Sequence, residues 1–248
     1  VQDSFDTCHR AHASIIGVPK LLPSYAGFLL EEEMKELSEA LAPKRPALAI
    51  IGGAKFRTKE AVLTTLLETY DHVFVGGALA NDFLKALGQE VGKSLVSGAD
   101  EKVIKKLLAH PKIVLPVDWL VIPARLAGAM NARLEAHIAS AGQVQPSEII
   151  LDHGPGPITL LSDLAQKAKT ILWNGPLGNY EHGFIDATDA FARAVASSHA
   201  YSVVGGGDTV ASIEGLGLLP RFSFVSTGGG AMLDFLAKGT LPGIEALN

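Results

Sequence analysis

The sequence predicts a doubly wound α/β protein, three layers deep (α/β/α), built around a mainly parallel sheet. Three observations carry that prediction. From residue 47 onward short apolar runs alternate with amphipathic ones, the pattern of βαβ units whose strands are buried on both faces. Glycine collects where the apolar runs stop, in GGAK (52–55), GGAL (76–79), DHGPGP (152–157), NGPLG (174–178), GGGDT (205–209) and STGGGA (226–231). Ligands of open parallel sheets bind outside the carboxyl ends of the strands, so the glycines mark one edge as the functional one. The composition, 48% hydrophobic and 19% charged over 248 residues, is that of a chain able to bury a large core.

In chain order, residues 1–23 carry HRAHAS and then a proline- and glycine-marked connector, GVPKLLPS. The run 25–41 repeats apolar residues at Phe28, Leu29, Met34, Leu37 and Leu41, a helical spacing that Pro43 and Pro46 end. Strands are predicted at 47–51, 72–75, 113–117, 148–151, 170–173, 201–204 and 223–225. Helices are predicted at 59–70, 79–87, 101–109, 160–168, 186–197, 210–214 and 231–238. Residues 123–147 fit neither pattern and are expected to be an excursion. Asp118 follows the run at 113–117 and joins the same edge.

The stretch 201–209, YSVVGGGDT, organises the rest. A buried parallel strand ends on Gly205, Gly206 and Gly207, which let the backbone turn sharply and bring N–H groups close to a ligand with no Cβ in the way. Asp208 and Thr209 then open a helix, whose free N–H groups and dipole attract an anion, while a carboxylate there can hold the magnesium that travels with phosphate. A plain strand-to-helix turn reads the same, and GGGDT alone does not decide.

Neighbouring edges add weight. In GGAKFRTK, Lys55 and Lys59 stand four apart beside a double glycine, where two cations can clamp a polyphosphate, although lysines are as a rule simply solvated. In WNGPLGNYE, Asn174 can donate to a phosphate and Glu181 can accept from ribose hydroxyls, while Trp173 reads as core. STGGGA repeats the GGGDT logic through Gly228 to Gly230. Familiar fingerprints fail. GQEVGKS lacks the first P-loop glycine because position 87 is leucine, and G-x-G-x-x-G would need glycine where Val210 or Leu233 stands. An NAD-dependent dehydrogenase would thus have the Rossmann-like sheet without its signature. His9 and His12 have no third metal ligand near in sequence, and Arg10 between them is the better candidate, since a guanidinium grips phosphate or carboxylate bidentately. Asp152 and His153 have no nucleophile system nearby and read as loop structure.

A net charge of −5 without a basic run argues against nucleic acid as partner. No apolar run approaches the roughly 18 residues of a membrane-spanning helix. Cys8 is the only cysteine, which excludes an intrachain disulfide and fits a reducing compartment, so the cytoplasm is the expected location. The chain starts VQDSFDTC, without an initiator methionine and in mid-motif, and is expected to be a fragment.

In combination the chain resembles phosphoglycerate kinase, through HRAHAS, AGFLLEEE, RPALAIIGGAK, GGALANDFLKALG, LPVD, WNGPLG, GGGDT, STGGGA and LPGIEAL, in family order. The resemblance implies a monomeric hinge enzyme of glycolysis that transfers a phosphoryl group between 1,3-bisphosphoglycerate and ADP with Mg2+. It divides the chain into the last piece of a phosphoglycerate-binding domain (1–23), an interdomain helix (24–42), a nucleotide-binding domain (43–238) and a tail (239–248). Lys55 and Lys59 would face the nucleotide phosphates and the transferring group. Gly53 would line the nucleotide site, and Gly76 and Gly77 the adenine wall. Asn174 would approach phosphate and Glu181 the ribose. Asp208 would hold magnesium, with Gly206, Gly207 and Thr209 against the phosphates. The N–H groups of Gly228 and Gly229 would meet the transferring phosphoryl, and Arg10 would reach the phosphoglycerate. The family's N-terminal substrate clamps have no counterpart here, so the chain is expected to need that missing half and to be inactive alone. A noncatalytic nucleotide-binding relative is the alternative. FRTK, DHGPGPIT and GNYE stand where the family has a small aliphatic residue and an aspartate before the second lysine, DIGPKT and GVFE, and VQDSFDTC replaces VNDAFGTA.

Overall fold

The structure, a computed structural model, describes residues 1–129 and 132–247. After helix α1 (Phe28–Leu41) the chain alternates through β1 (Ala47–Ile51), α2 (Glu60–Thr69), β2 (His72–Val75), α3 (Leu79–Ala86), α4 (Glu101–Leu108) and β3 (Ile113–Val114). Strands β4 (Asp118–Pro123), β5 (His137–Ser140) and β6 (Glu148–His153) follow. Then come α5 (Pro155–Lys167), β7 (Thr170–Asn174), α6 (Asp186–Ser197), β8 (Tyr201–Gly205), α7 (Gly207–Gly215), β9 (Phe224–Val225), α8 (Gly229–Lys238) and α9 (Pro242–Glu245).

Six strands form one sheet in the order β3-β2-β1-β7-β8-β9, and every pairing within it is parallel. The twofold alternation of side chains in β1 splits its residues between two cores. Ala47, Ala49 and Ile51 share one cluster with Leu63, Leu66 and Leu236, whereas Leu48 and Ile50 join Leu161, Trp173 and Phe191. The predicted doubly wound, three-layer architecture is thus the one observed. The first and last segments share the first of these cores. Phe5 and Cys8 pack with Leu241 and Ile244, and the Gly243 N–H donates to the Cys8 carbonyl at 2.9 Å. Among the described residues no helix is long and apolar enough to cross a membrane.

Several elements differ from expectation. The run 148–151 does not join the parallel sheet. It lies in β6, which pairs antiparallel with β4, and β5 completes a second sheet of order β5-β4-β6. An apolar run does not encode the direction of its partner, and of the excursion at 123–147 Pro123 and His137–Ser140 belong to this second sheet. Strand 113–117 stops at Val114, because Pro116 has no N–H to give a ladder. Helix α1 starts at Phe28, since residues before it run beside Gln2, whose N–H donates to Tyr25 O at 2.8 Å and whose carbonyl accepts from Gly27 at 2.7 Å. Helix α5 starts at Pro155 rather than 160. Its prolines fall in the first turn, where a missing N–H loses no intrahelical bond, and the Asp118 carboxylate accepts from Gly156 N–H at 3.2 Å. A Cβ on Gly154 would collide with that carboxylate, which is why the turn spells GPGP.

Candidate active site

From β1 the chain winds outward through β2 and β3, and from β7 it winds the other way through β8 and β9. The crevice of such a sheet opens at the carboxyl ends of the two strands where the order reverses, here β1 and β7. Their continuations lie backbone against backbone. Gly52 N–H donates to Asn174 O at 2.8 Å, Gly53 N–H donates to Pro176 O at 3.0 Å, and a Cβ on Gly52 would collide with Pro176 O.

On one side of this seam a cavity of about 240 Å³ is lined by Gly53, Gly77, His153, Leu177, Glu181 and Asp208, among others. Gly77 has φ +61°, and a Cβ there would stand 2.7 Å from Gly53 N, so the GGAL turn can approach GGAK only as glycine. Its N–H donates to His153 Nε2 at 3.1 Å. The Asp152 carboxylate beside it accepts from His153 N at 2.9 Å and from Ala187 N at 3.2 Å. Burial pushes the Asp152 carboxyl up to about 7 in spite of those N–H groups, and burial pushes the His153 ring down to about 3. The sequence reads both residues as loop structure, yet they close β6 at the cavity wall. The signal for them was their position: they end an apolar run, where the glycine loops end the others.

On the other side, His9, Lys59, Asn174, Gly206, Gly229 and Gly230 surround a second recess. The two recesses adjoin, since a Cβ on Gly53 of the first would stand 3.4 Å from Lys59 Nζ of the second. Lys59 is only 8% exposed, and among the described residues no carboxylate pairs with its ammonium. Its pKa is lowered, first by burial and then by the nearby charge of Lys55, which is itself exposed. A buried cation facing glycine backbone rather than an acid is arranged for an anion that comes from outside. Gly206 (φ +99°) and Gly229 bring the two glycine loops into contact, a Cβ on Gly229 standing 3.0 Å from Gly206 Cα. Helices α7 and α8 start within these loops, at Gly207 and Gly229, so both helix N-termini open toward the recess.

The remaining candidates fall as follows. Asp208 sits exposed in the first turn of α7 and lines the first cavity, and Glu181 sits exposed on its rim in a single 3-10 turn. Among the described residues no three His, Cys, Asp or Glu side chains cluster as a metal cage. A lone carboxylate suits magnesium where phosphate and waters supply its other ligands. Asn174 is 3% exposed, and its Nδ2 donates to Gly229 O at 3.4 Å and to Met232 Sδ at 3.5 Å, so it ties the two loops together as well as lining the recess. Thr209 is fully buried, and its Oγ1 has no hydrogen-bond partner among the described residues. Gly76 is buried at the end of β2, and Gly228 packs on Phe5, which a Cβ would approach to 2.7 Å. Arg10 is exposed and does not line the recess, but its Nε donates to His9 Nε2 at 3.3 Å, and His9 does line it.

One member was missed altogether. Glu33 of α1 is fully buried and accepts from Ser226 Oγ (2.8 Å), Thr227 N (2.6 Å) and Thr227 Oγ1 (2.7 Å), so α1 holds the STGGG loop in place. Its signal was a carboxylate on the buried stripe of α1, between Leu30 and Leu37.

Parallel strands, glycine loops at helix N-termini and a buried lysine without a carboxylate partner among the described residues define an α/β protein with a recess suited to an anion. The comparisons with known proteins agree. The family model described as phosphoglycerate kinase matches residues 1–239, and the chain belongs to that family. It is 44% identical over 255 residues to the phosphoglycerate kinase of Thermus thermophilus, with 100% of this chain and 64% of the relative covered. The Francisella tularensis phosphoglycerate kinase is also 44% identical over the same coverage. Among solved structures, phosphoglycerate kinase from Coxiella burnetii superposes with a TM-score of 0.86 at 40% identity, covering 98% of this chain and 63% of that one. The Pyrococcus horikoshii structure gives 0.84 at 31% identity, covering 99% and 62%. The chain therefore spans about 64% of the length of the curated relatives it matches.

Proposed function

We propose that these residues form the nucleotide half of a phosphoglycerate kinase, which transfers a phosphoryl group reversibly between 1,3-bisphosphoglycerate and ADP. The observation that carries this reading is Lys59, a buried ammonium with no carboxylate partner among the described residues, set between two glycine loops. In this reading the base and ribose of ADP occupy the cavity between Gly77, Leu177 and Glu181, and the phosphates lie along Gly206, Gly207 and Lys59. Lys55 and Lys59 offset charge on the moving phosphoryl group, and the N–H groups of Gly228 and Gly229 meet its oxygens. Asp208 would hold Mg2+, which when bound neutralises charge on the phosphate oxygens. Arg10, tied to His9 at the mouth of the recess, would reach the phosphoglycerate. No protein nucleophile is required, because in-line transfer asks mainly for positioning and charge stabilisation.

The relatives extend well beyond the matched length, and that further portion is proposed to carry the acid-substrate clamps and to close over this site, excluding water. This chain alone is then expected to bind MgADP and not to consume ATP with 3-phosphoglycerate. Titration calorimetry with MgADP, with NAD as control and Asp208→Ala beside it, tests this. Saturable MgADP binding that weakens in the variant supports it, and a preference for NAD refutes it.

A further inference from the structure

We propose that His153 is a positioning residue of the nucleotide pocket: its Nε2 lone pair anchors the Gly77 N–H and so holds the double-glycine turn against Gly53. This inference rests on the nucleotide reading above and goes beyond it, because the sequence at 152–157 departs from the family form at this residue.

The ring is 7% exposed and stands edge-on to Phe74, centroids 5.6 Å apart. It meets the turn at two points. Gly77 N–H donates to Nε2 at 3.1 Å, and a Cβ on Gly76 would stand 3.1 Å from the same nitrogen. To accept, Nε2 must carry the lone pair, so a neutral ring has its proton on Nδ1. Nδ1 has no other partner among the described residues, which leaves the Gly77 contact as the ring's one hydrogen bond there. His153 belongs to β6 of the antiparallel sheet, whereas Gly76 and Gly77 follow β2 of the parallel one. The bond therefore fixes one sheet against the other across the cavity, at the wall Gly77 forms with Gly53. An aliphatic side chain at 153 would take from the half-buried Gly77 N–H its acceptor at the cavity wall, and the turn would lose the bond that seats it.

Three forms of this 248-residue chain are compared: unaltered, His153→Ile and His153→Gln. Glutamine places an oxygen acceptor near the position of Nε2, and isoleucine keeps the bulk without it. MgADP affinity is read by calorimetry and the Gly77 amide by 15N-labelled NMR, including a coupling across the N–H···N bond to His153. The coupling is expected in the unaltered chain. H153I is expected to bind MgADP about tenfold more weakly, the scale of one lost hydrogen bond, and H153Q within about threefold of the unaltered chain. A merely structural role would lower the melting temperature of H153I and leave its MgADP affinity unchanged, which overturns the proposal. Equal weakening in both variants, or no coupling to Gly77, overturns it as well. If the unaltered chain shows the coupling but binds no MgADP, the nucleotide reading itself has failed, and this inference falls with it.

Discussion

Replacing Lys59 by methionine should make the ligand-free protein more stable and its nucleotide binding worse. Methionine keeps the length and apolar character of the stem and removes a charge that is 8% exposed and pairs with no carboxylate among the described residues. A buried donor left without a partner costs ~1–3 kcal/mol, and because Lys59 lines an open recess the low end applies, about 1 kcal/mol. For a chain of this size that is a rise of roughly 2–4 °C in melting temperature. On the ligand side one charge-assisted hydrogen bond to phosphate is lost, ~1.5–3 kcal/mol, or roughly 10- to 150-fold in MgADP affinity. The sign with pH follows. Burial lowers the Lys59 pKa below 10.5, so the folded state disfavours the charged form, and its stability rises as pH climbs through the folded pKa toward 10.5. K59M loses that rise. Thermal unfolding with and without MgADP, at neutral and alkaline pH, reads all three effects. A K59M protein that melts lower without ligand yet binds MgADP as well as the original would refute the claim that Lys59 awaits an external anion.

Asp152, whose folded pKa is raised to about 7 from 3.8, favours its protonated form in the fold, so stability is full below about pH 4 and falls as pH rises toward 7. At 1.36 kcal/mol per pH unit the loss is at most about 4 kcal/mol, and Asp152→Asn should be more stable relative to the original at pH 8 than at pH 5, as urea titrations at the two values would reveal. Glu33→Gln keeps one acceptor oxygen and sets an NH2 against either Ser226 Oγ or the two Thr227 donors, which should cost about 1–3 kcal/mol of stability and loosen the STGGG loop, read as faster amide exchange at Thr227 and Gly228. Gly206→Ala puts a Cβ at φ +99° and 3.3 Å from Gly175 N, and should lower stability by ~1–3 kcal/mol while weakening MgADP binding, measured by melting and calorimetry.

Legibility in the sequence followed the range over which each signal acts. β1, β2 and α6 match their expected bounds because short apolar runs and 3.6-residue periodicity are local. The glycine edge was readable for the same reason, each loop following its own strand. Partner choice is not local: nothing in 148–151 states that β6 pairs antiparallel with β4 instead of entering the main sheet. Helix starts at Pro155, Gly207 and Gly229 were set late, since proline and glycine weigh against helix until their place in the first turn is known. The contacts of Glu33 with Ser226 and Thr227 bridge almost the whole chain, and the meeting of His153 with Gly77 joins two sheets, so neither could be seen from spacing.

The most direct test is to follow the backbone amides of the 15N-labelled chain as MgADP is added. Saturable shifts concentrated at Gly53, Gly77, Gly207, Asp208 and Gly229, absent with NAD, are the predicted result. Shifts that gather away from the carboxyl edge of the parallel sheet, or no shifts at millimolar MgADP on the order of a weak ligand's Kd, would contradict a nucleotide site there.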